Sequence, residues 1–498
     1  MYQTFIGLEV HIHLLTKTKV FCGCRSAFGD EPNTNICPVC MGYPGVMPAL
    51  NIEAMRMGCL VARALDCRIP ERTWFERKQY FYPDMPKNYQ ISQFASPLGQ
   101  QGSVEIEGGG VKKRVRIREC HLEEDAGKMI HTGAVSLLDY NRAGVSLLEI
   151  VTEPDMESGE EAELFVQQLR RTVRYLGVCD GNMEEGSLRA DANVSINLAG
   201  AGLGKKVEIK NLNSSRFIKL GLNYEIKRQS AMLDAGKTVV QETRLWNENR
   251  DETAPMRTKE NAKDYRYFPE PDLPVFTPDE AFLKSVDLSL VELPLPRARR
   301  VIADYGLNRE QAFIICEEKA LADYYENSVE AACKLGMEKK DAALRIANRL
   351  LSDVKHILSR DKIDPDGMAS IKLTPRRLAE LTVLVAGGKI SNKNAKQALE
   401  AVFTEDKDPA DLVKERGWEQ INDPAVISEA VKQVWTAEAE TVVSARAALE
   451  ADNQKKLKSL TAYLVGKALA ATGGRASPEI TGRQVEALLR GGDRVQAP

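Results

Sequence analysis

Apolar and polar residues alternate along FIGLEVHIHLL, which puts Ile6, Leu8, Val10, Ile12 and Leu14 on one side of an extended chain and Glu9, His11 and His13 on the other. This period of two predicts a strand over 4–14, and similar short runs predict strands at 104–107, 111–118, 146–151, 187–197 and 206–210, separated by Gly and Pro turns. Two segments switch to a helical period. Ser158 and Glu161 form a capping box ahead of Phe165, Leu169, Val173 and Leu176, closed by Gly177, and a second helix over 214–235 ends at Gly236. The Pro-rich stretches EPDLPVFTPDE (270–280) and LPLPR (293–297) mark a boundary, after which strand signals disappear. Beyond it, 309–335, 340–359, 374–387, 391–403 and 424–451 carry apolar residues at helical spacing. The pattern predicts an α+β chain: an antiparallel-sheet-rich part over 1–292, then all-helical domains over 293–405 and 406–476, divided near KDPAD (407–411). Residues 477–498 read as a flexible extension holding one short amphipathic helix.

At 498 residues the chain is too long for a single core, and a usual domain size of roughly 100–200 residues suggests about three. With 68 basic against 71 acidic residues there is no global pull toward nucleic acid, so any RNA contact must come from a local patch. One such patch is 372–396, where Lys372, Arg376, Arg377, Lys389, Lys393 and Lys396 face the single acid Glu380. No apolar run approaches the ~20 residues that span a bilayer, and MYQTFIGLEV has neither a basic leader region nor a cleavage site. The expectation is a soluble, cytoplasmic protein. Six of the ten cysteines are scattered singly, as reduced thiols are. The other four, Cys22, Cys24, Cys37 and Cys40, have the spacing C-x-C-x12-C-x2-C, which suits a structural tetrahedral Zn²⁺ holding the loop after the first strand.

Three strands carry chemistry on their polar faces. Glu9 and His11 point the same way, about 7 Å apart. In SLRADANVSI the polar side holds Ser187, Arg189, Asp191, Asn193 and Ser195, and in VEIK it holds Glu208 and Lys210. An antiparallel sheet commonly has a merely solvated polar face. His, Arg, Asp and Asn at alternate positions instead supply ligands, acids and bidentate donors in a fixed array. Glu149, inside VSLLEIV, needs a cation partner if buried, and ECHLEEDAGK concentrates Glu119, Glu123, Glu124 and Asp125 around His121. Oxygen ligands with an imidazole suit Mg²⁺ or Mn²⁺ better than a structural zinc. No P-loop is present: AMLDAGKT has Ala231 where the phosphate-binding glycine would stand, and DAGKM lacks both the leading Gly and the Ser or Thr. Any ATP would be held by metal, Lys and Arg on a sheet.

The segments GLEVH (7–11), YPGVMPALN (43–51), RKQYFYPDMPKNYQISQ (77–93), HLEEDAGK (121–128), NRAGVSLLEIVTEPD (141–155), MEEGSLRADANVS (183–195), EIKNLNS (208–214) and DYRYFPEPD (264–272) resemble, in order, the B subunits of the GatCAB tRNA-dependent amidotransferases. The resemblance implies a cradle-shaped catalytic domain, a helical domain and a YqeY-like tail. It also implies ATP-dependent phosphorylation of the glutamate or aspartate carried by a misacylated tRNA, then amidation by ammonia from an amidase-type glutaminase (the A subunit), with a small C subunit bracing the pair. On the family's positions, Glu9, His11, Glu124 and Glu149 would hold Mg²⁺, and Lys78, Glu184, Arg189 and Asp191 would belong to the nucleotide and acyl-acceptor pocket, with Lys78 and Arg189 neutralising phosphoryl charge. Two other readings are a non-catalytic tRNA-binding module with a structural zinc and a stand-alone ATP-dependent amide ligase. Against the first stands Glu149 beside the Glu9/His11 face; against the second stand the appended helical residues.

Overall fold

The computed structural model describes residues 2–258 and 265–491, so Asp264 and 492–498, the end of the expected extension, lie outside the described residues. Two compact units result, Met1–Arg297 and Ala298–Pro498. The first is mixed α and β, and the second is helical. Among the described residues no helix is long and apolar enough to cross a membrane.

The strands of the first unit are β1 (Tyr2–His13), β2 (Glu76–Gln79), β3 (Tyr89–Ser92), β4 (Gly99–Gly108), β5 (Val111–Glu124), β6 (Lys128–Thr132) and β7 (Val135–Asp139). They continue with β8 (Ser146–Thr152), β9 (Leu188–Leu198), β10 (Val207–Lys210), β11 (Glu242–Asn247), β12 (Glu252–Thr258) and β13 (Phe268–Pro269). Eleven form one sheet in the order β12-β11-β10-β9-β1-β8-β5-β3-β2-β13, with β4 on β5, while β6 and β7 make a separate hairpin. Pairing is antiparallel except between β10 and β11. The predicted α+β class, largely antiparallel, is the observed one.

The alternation read in the sequence sets the two faces. Ile6, Leu8, Val10 and Ile12 of β1, Leu148 and Ile150 of β8, Leu122 of β5 and Val194 of β9 are buried in one core. Among the described residues, four helices lie wholly within that unit: α1 (Ile52–Ala64), α2 (Gly159–Tyr175), α3 (Ser215–Asp234) and α4 (Glu280–Leu288). α1 packs on β4 and β5, α2 on β4 and on α3, and α3 also on β9 and β12. The Ser158 cap forms as expected, its hydroxyl accepting from the Glu161 N–H. α1 is not among the expected elements: Asn51 caps it, eight of its residues are buried, and its polar stripe is narrow, only Glu53, Arg56 and Arg63.

The second unit has two cores, one from Ala298 to Val413 and another from Ile427 to Leu489. The helical spacing over 340–359 is one uninterrupted run, Lys339–Arg349, a π-helical Leu350–Val354 and Lys355–Arg360, whereas 309–335 and 424–451 each hold two helices, Arg309–Ile315 with Lys319–Lys334 and Pro424–Ala437 with Ala439–Glu450. The short helix expected in the extension forms as Pro478–Leu489, capped by Ser477, and its Val485 and Leu489 join the last core. Its flanking glycines suggested mobility, but two apolar residues four apart on one face gave it a surface to bury.

Candidate active site

Strand register assembles the polar face. His11 of β1 stands opposite Glu149 of β8 and, on its other side, opposite Arg189 of β9; Glu149 in turn stands opposite His121 of β5. Arg189, His11, Glu149 and His121 thus form one row across four strands. Period two brings Glu123, opposite Leu147, to the same face one step along. The Oε2 of Glu149 lies 3.3 Å from His11 Nε2 and 3.2 Å from His121 Nε2, and His121 Nε2 is 3.8 Å from Glu123 Oε2. His11, Glu123 and Glu149 each offer a ligand atom within 4.8 Å of the others.

Burial alone would drive these imidazoles neutral, but the hydrogen bond and charge of Glu149 outweigh it: His11 is raised, and His121 is pushed up to about 9. Burial would likewise raise Glu149, yet the two histidines hold it well below the usual carboxylate range. The buried Nδ1 of His121 has no hydrogen-bond partner. Two carboxylates and an imidazole converging at this separation fit a hard divalent cation such as Mn²⁺ or Mg²⁺.

The expected metal set is therefore only partly the one assembled. His11 and Glu149 meet, but Glu9 lies one row away, accepting from Asn193 Nδ2 at 3.0 Å. Glu124 is even-numbered on a strand whose odd positions face the cluster, so it turns to the opposite face. There, buried, it accepts from the Ile91 N–H (2.9 Å) and pairs with the Lys87 ammonium. Glu123, rather than Glu9 or Glu124, is the third carboxylate or imidazole to meet His11 and Glu149 within 4.8 Å, with His121 beside it.

Of the expected pocket residues, Lys78 lies within electrostatic reach of Glu123 and Glu149; burial works against its charge, but those carboxylates and Tyr267 leave it raised. Arg189 and Asp191 line a cavity of about 420 Å³ together with His11, Glu123 and Lys210. Lys210 pairs with Asp191 and lies 3.2 Å from Glu208. Glu184 is exposed on the turn before β9 and does not line that cavity.

Asp125, in the sequence only one acid among several in its segment, joins the site. Just past β5, it is buried and receives His13 Nε2 (2.7 Å), Arg189 Nη2 (2.8 Å) and the Ala126 N–H (2.9 Å), with Arg142 Nε at 3.4 Å. Burial would raise its pKa, but Arg189 first, then His13 and Arg142, hold it far below the usual carboxylate range.

The Sγ atoms of Cys22, Cys24, Cys37 and Cys40 lie within 4.8 Å of one another, and all four are free thiols. Cys40 is lowered to about 4, first by the hydrogen bond from Cys22 and, against burial, by the Cys37 N–H and the charge of buried Lys19. A thiolate is the form that binds zinc.

In the second unit the basic stretch is less free than its local count suggests. Arg376 pairs with Asp408, Arg377 with Asp406 (2.6 Å) and Asp408 (2.9 Å), and Lys396 with Asp353 (3.3 Å), while Lys372 donates to the Thr404 carbonyl at 2.7 Å. Lys389 and Lys393 are exposed. Acids distant in sequence fold back onto the arginines, which a count over 372–396 omits.

Residues 4–284 match the family model described as the GatB/GatE catalytic domain, and 327–489 match that described as the GatB domain. The chain is 43% identical to the aspartyl/glutamyl-tRNA(Asn/Gln) amidotransferase B subunit of Thermodesulfovibrio yellowstonii, covering 98% of this chain and 99% of the relative. It is 43% identical to the protein of that name from Moorella thermoacetica, over 98% of this chain and 100% of the relative, and 42% identical to that of Anaeromyxobacter sp., over 98% of each. The chain belongs to the family of aspartyl/glutamyl-tRNA amidotransferase B subunits.

Proposed function

We propose that this chain uses ATP to activate the side-chain carboxylate of Glu-tRNA(Gln) or Asp-tRNA(Asn) and presents it for amidation. The observation that carries the reading is the Arg189–His11–Glu149–His121 row, with Glu123 and Lys78 beside it, in a chain related to the amidotransferase B subunits over 98% of its length. A carboxylate is a poor electrophile toward ammonia. Attack of its oxygen on the γ-phosphorus of ATP expels ADP and leaves an acyl phosphate, from which ammonia then displaces inorganic phosphate. A divalent cation, held by His11, Glu123 and Glu149, would supply neutralisation of the phosphate oxygens. Lys78 and Arg189 contribute fixed positive charge on either side of that cluster, placed before the reaction begins. Asp191, tied to Lys210 at the wall of the cavity, would take a proton from the ammonium form of the nucleophile. Ammonia would come from the glutaminase A subunit, with the small C subunit completing the assembly.

The complete complex, given misacylated tRNA and an ammonium salt, is expected to form ADP and amidated tRNA in equal amounts. Amide formed without ADP would remove the phosphorylation step. Assays with each misacylated tRNA separately decide which acceptor is used.

The cysteine cluster is proposed to hold a structural zinc. The purified chain is expected to carry about one equivalent, lost in Cys37→Ser or Cys40→Ser together with thermal stability. Metal analysis of protein prepared without chelators checks this.

The tRNA is proposed to meet the helical second unit. Because Arg376 and Arg377 are engaged by acids, the test falls on the exposed lysines: Lys389→Glu with Lys393→Glu should weaken tRNA binding and flatten its salt dependence by about one unit of slope for each phosphate no longer neutralised. Unchanged binding at matched salt would move the platform elsewhere.

A further inference from the structure

An aromatic cluster at the β3–β2–β13 edge of the sheet has no part in the chemistry above. Phe94 follows β3, and its backbone N–H donates to Glu76 Oε2 at 2.8 Å, so its position is fixed even though the residue is 59% exposed. One face of its ring is covered by Tyr267, stacked with centroids 4.2 Å apart and planes 9° from parallel. Tyr267 meets the ring of Tyr265 edge-on at 6.1 Å, and Lys78 Nζ stands 5.1 Å from the centre of Tyr265. Lys78 and Tyr267 both lie within electrostatic reach of Glu123 and Glu149. The carboxylate–histidine cluster, Lys78, Tyr265, Tyr267 and Phe94 are thus a continuous series.

A phenylalanine anchored through its backbone, backed on one side by a parallel tyrosine and open on the other, offers a rigid planar apolar surface. Every nucleobase has a π-face that such a surface accepts. We infer that the open face of Phe94 is the stacking platform for the adenine of ATP. ATP is the source because the series runs from an aromatic surface, through an ammonium, to a divalent-cation cluster, which is the order in which a nucleotide presents its base and then its phosphates. The inference rests on the ATP dependence proposed above, and adds a residue to which the phosphate chemistry assigns nothing.

The test uses the complete complex, first varying ATP at saturating misacylated tRNA and then varying the tRNA at saturating ATP. Phe94→Ala is expected to raise the KM for ATP about tenfold, the scale of one lost base–aromatic stack. Phe94→Leu, which keeps apolar bulk but has no planar face, should do the same, while Phe94→Trp should retain the wild-type value. Inorganic triphosphate, which has no base, should inhibit the wild type and Phe94→Ala equally. An ATP KM unchanged in Phe94→Ala, or an equal loss of ATP and triphosphate binding, would overturn the platform. A rise confined to the KM for the tRNA would overturn it also, and assign Phe94 to the terminal adenosine of the acceptor. A wild-type complex that makes amide without ADP would instead remove the ATP reading itself, and the platform with it. Since Phe94 is exposed, the unfolding midpoints of these variants should match the wild type; a variant with a lowered midpoint is replaced by the Leu and Trp pair, whose contrast decides the same question.

Discussion

Glu149→Gln is expected to lower ATP-dependent amidation by about 10²–10³-fold while the glutaminase activity of the assembled complex persists. The substitution keeps shape and removes charge. In the native site the Glu149 carboxylate lies between His11 and His121 and completes a donor set with Glu123. An amide in its place offers a weaker ligand oxygen and leaves two half-buried imidazoles without their counter-charge. His11→Ala should act in the same direction. A readout other than turnover is the Mn²⁺ affinity of the chain. Glu149→Gln and Glu123→Gln should both weaken it, and more than Glu124→Gln does, because Glu124 spends its charge on Lys87 across the sheet. Equal losses from Glu123→Gln and Glu124→Gln would return Glu124 to the metal set, and amidation by Glu149→Gln at the wild-type rate would remove the site altogether.

How much of this was legible in the chain depends on which interaction placed each residue. Period two is a local rule, and it correctly grouped Glu9 with His11 and Arg189 with Asp191. Which members of neighbouring strands meet is decided by register, and register comes from turns and packing far from the residues concerned. That is why Glu9, two residues from His11, stands opposite Asp191 and Val151 rather than inside the cluster. The Glu123/Glu124 choice was within reach. Had the alternation been carried through β5 from Glu119 to Glu124, His121 and Glu123 would have fallen on one face and Glu124 on the other. Asp125 lies beyond the strand, where alternation ends, and no local pattern predicts its partners. Short strands such as β2 and β3 gave no periodic signal in their four residues each, yet β2 carries Lys78. The basic stretch failed for the converse reason: local charge counting sees neither Asp406 nor Asp408 folding back on the arginines.

Asp125→Asn is expected to destabilise the first unit by about 2–3 kcal/mol and to lower amidation at the same time. Removing one partner of a fully buried ion pair costs about 3–5 kcal/mol, because the remaining charges are left uncompensated. The lower figure applies because Arg189 and Arg142 are 37% and 35% exposed, so water screens part of the loss. The effect on activity follows from geometry: Asp125 accepts from Arg189 Nη2 and so fixes the guanidinium at the cavity that holds Asp191 and Lys210. A double-mutant cycle separates the two effects. If Asp125 acts on the chemistry through Arg189, then Asp125→Asn should cost little further activity once Arg189→Ala is in place, whereas additive losses would mean that it acts by another route. The stability term has a pH signature. The Asp125 pKa lies far below its unfolded value of about 3.9, so its contribution is fully present above that value and is lost as pH falls below it. The stability gap between wild type and Asp125→Asn should therefore hold constant from neutral pH down to about 5 and narrow below about 4. A gap that persists unchanged into acid would show that the loss comes from packing rather than from the charge of the Asp125 carboxylate.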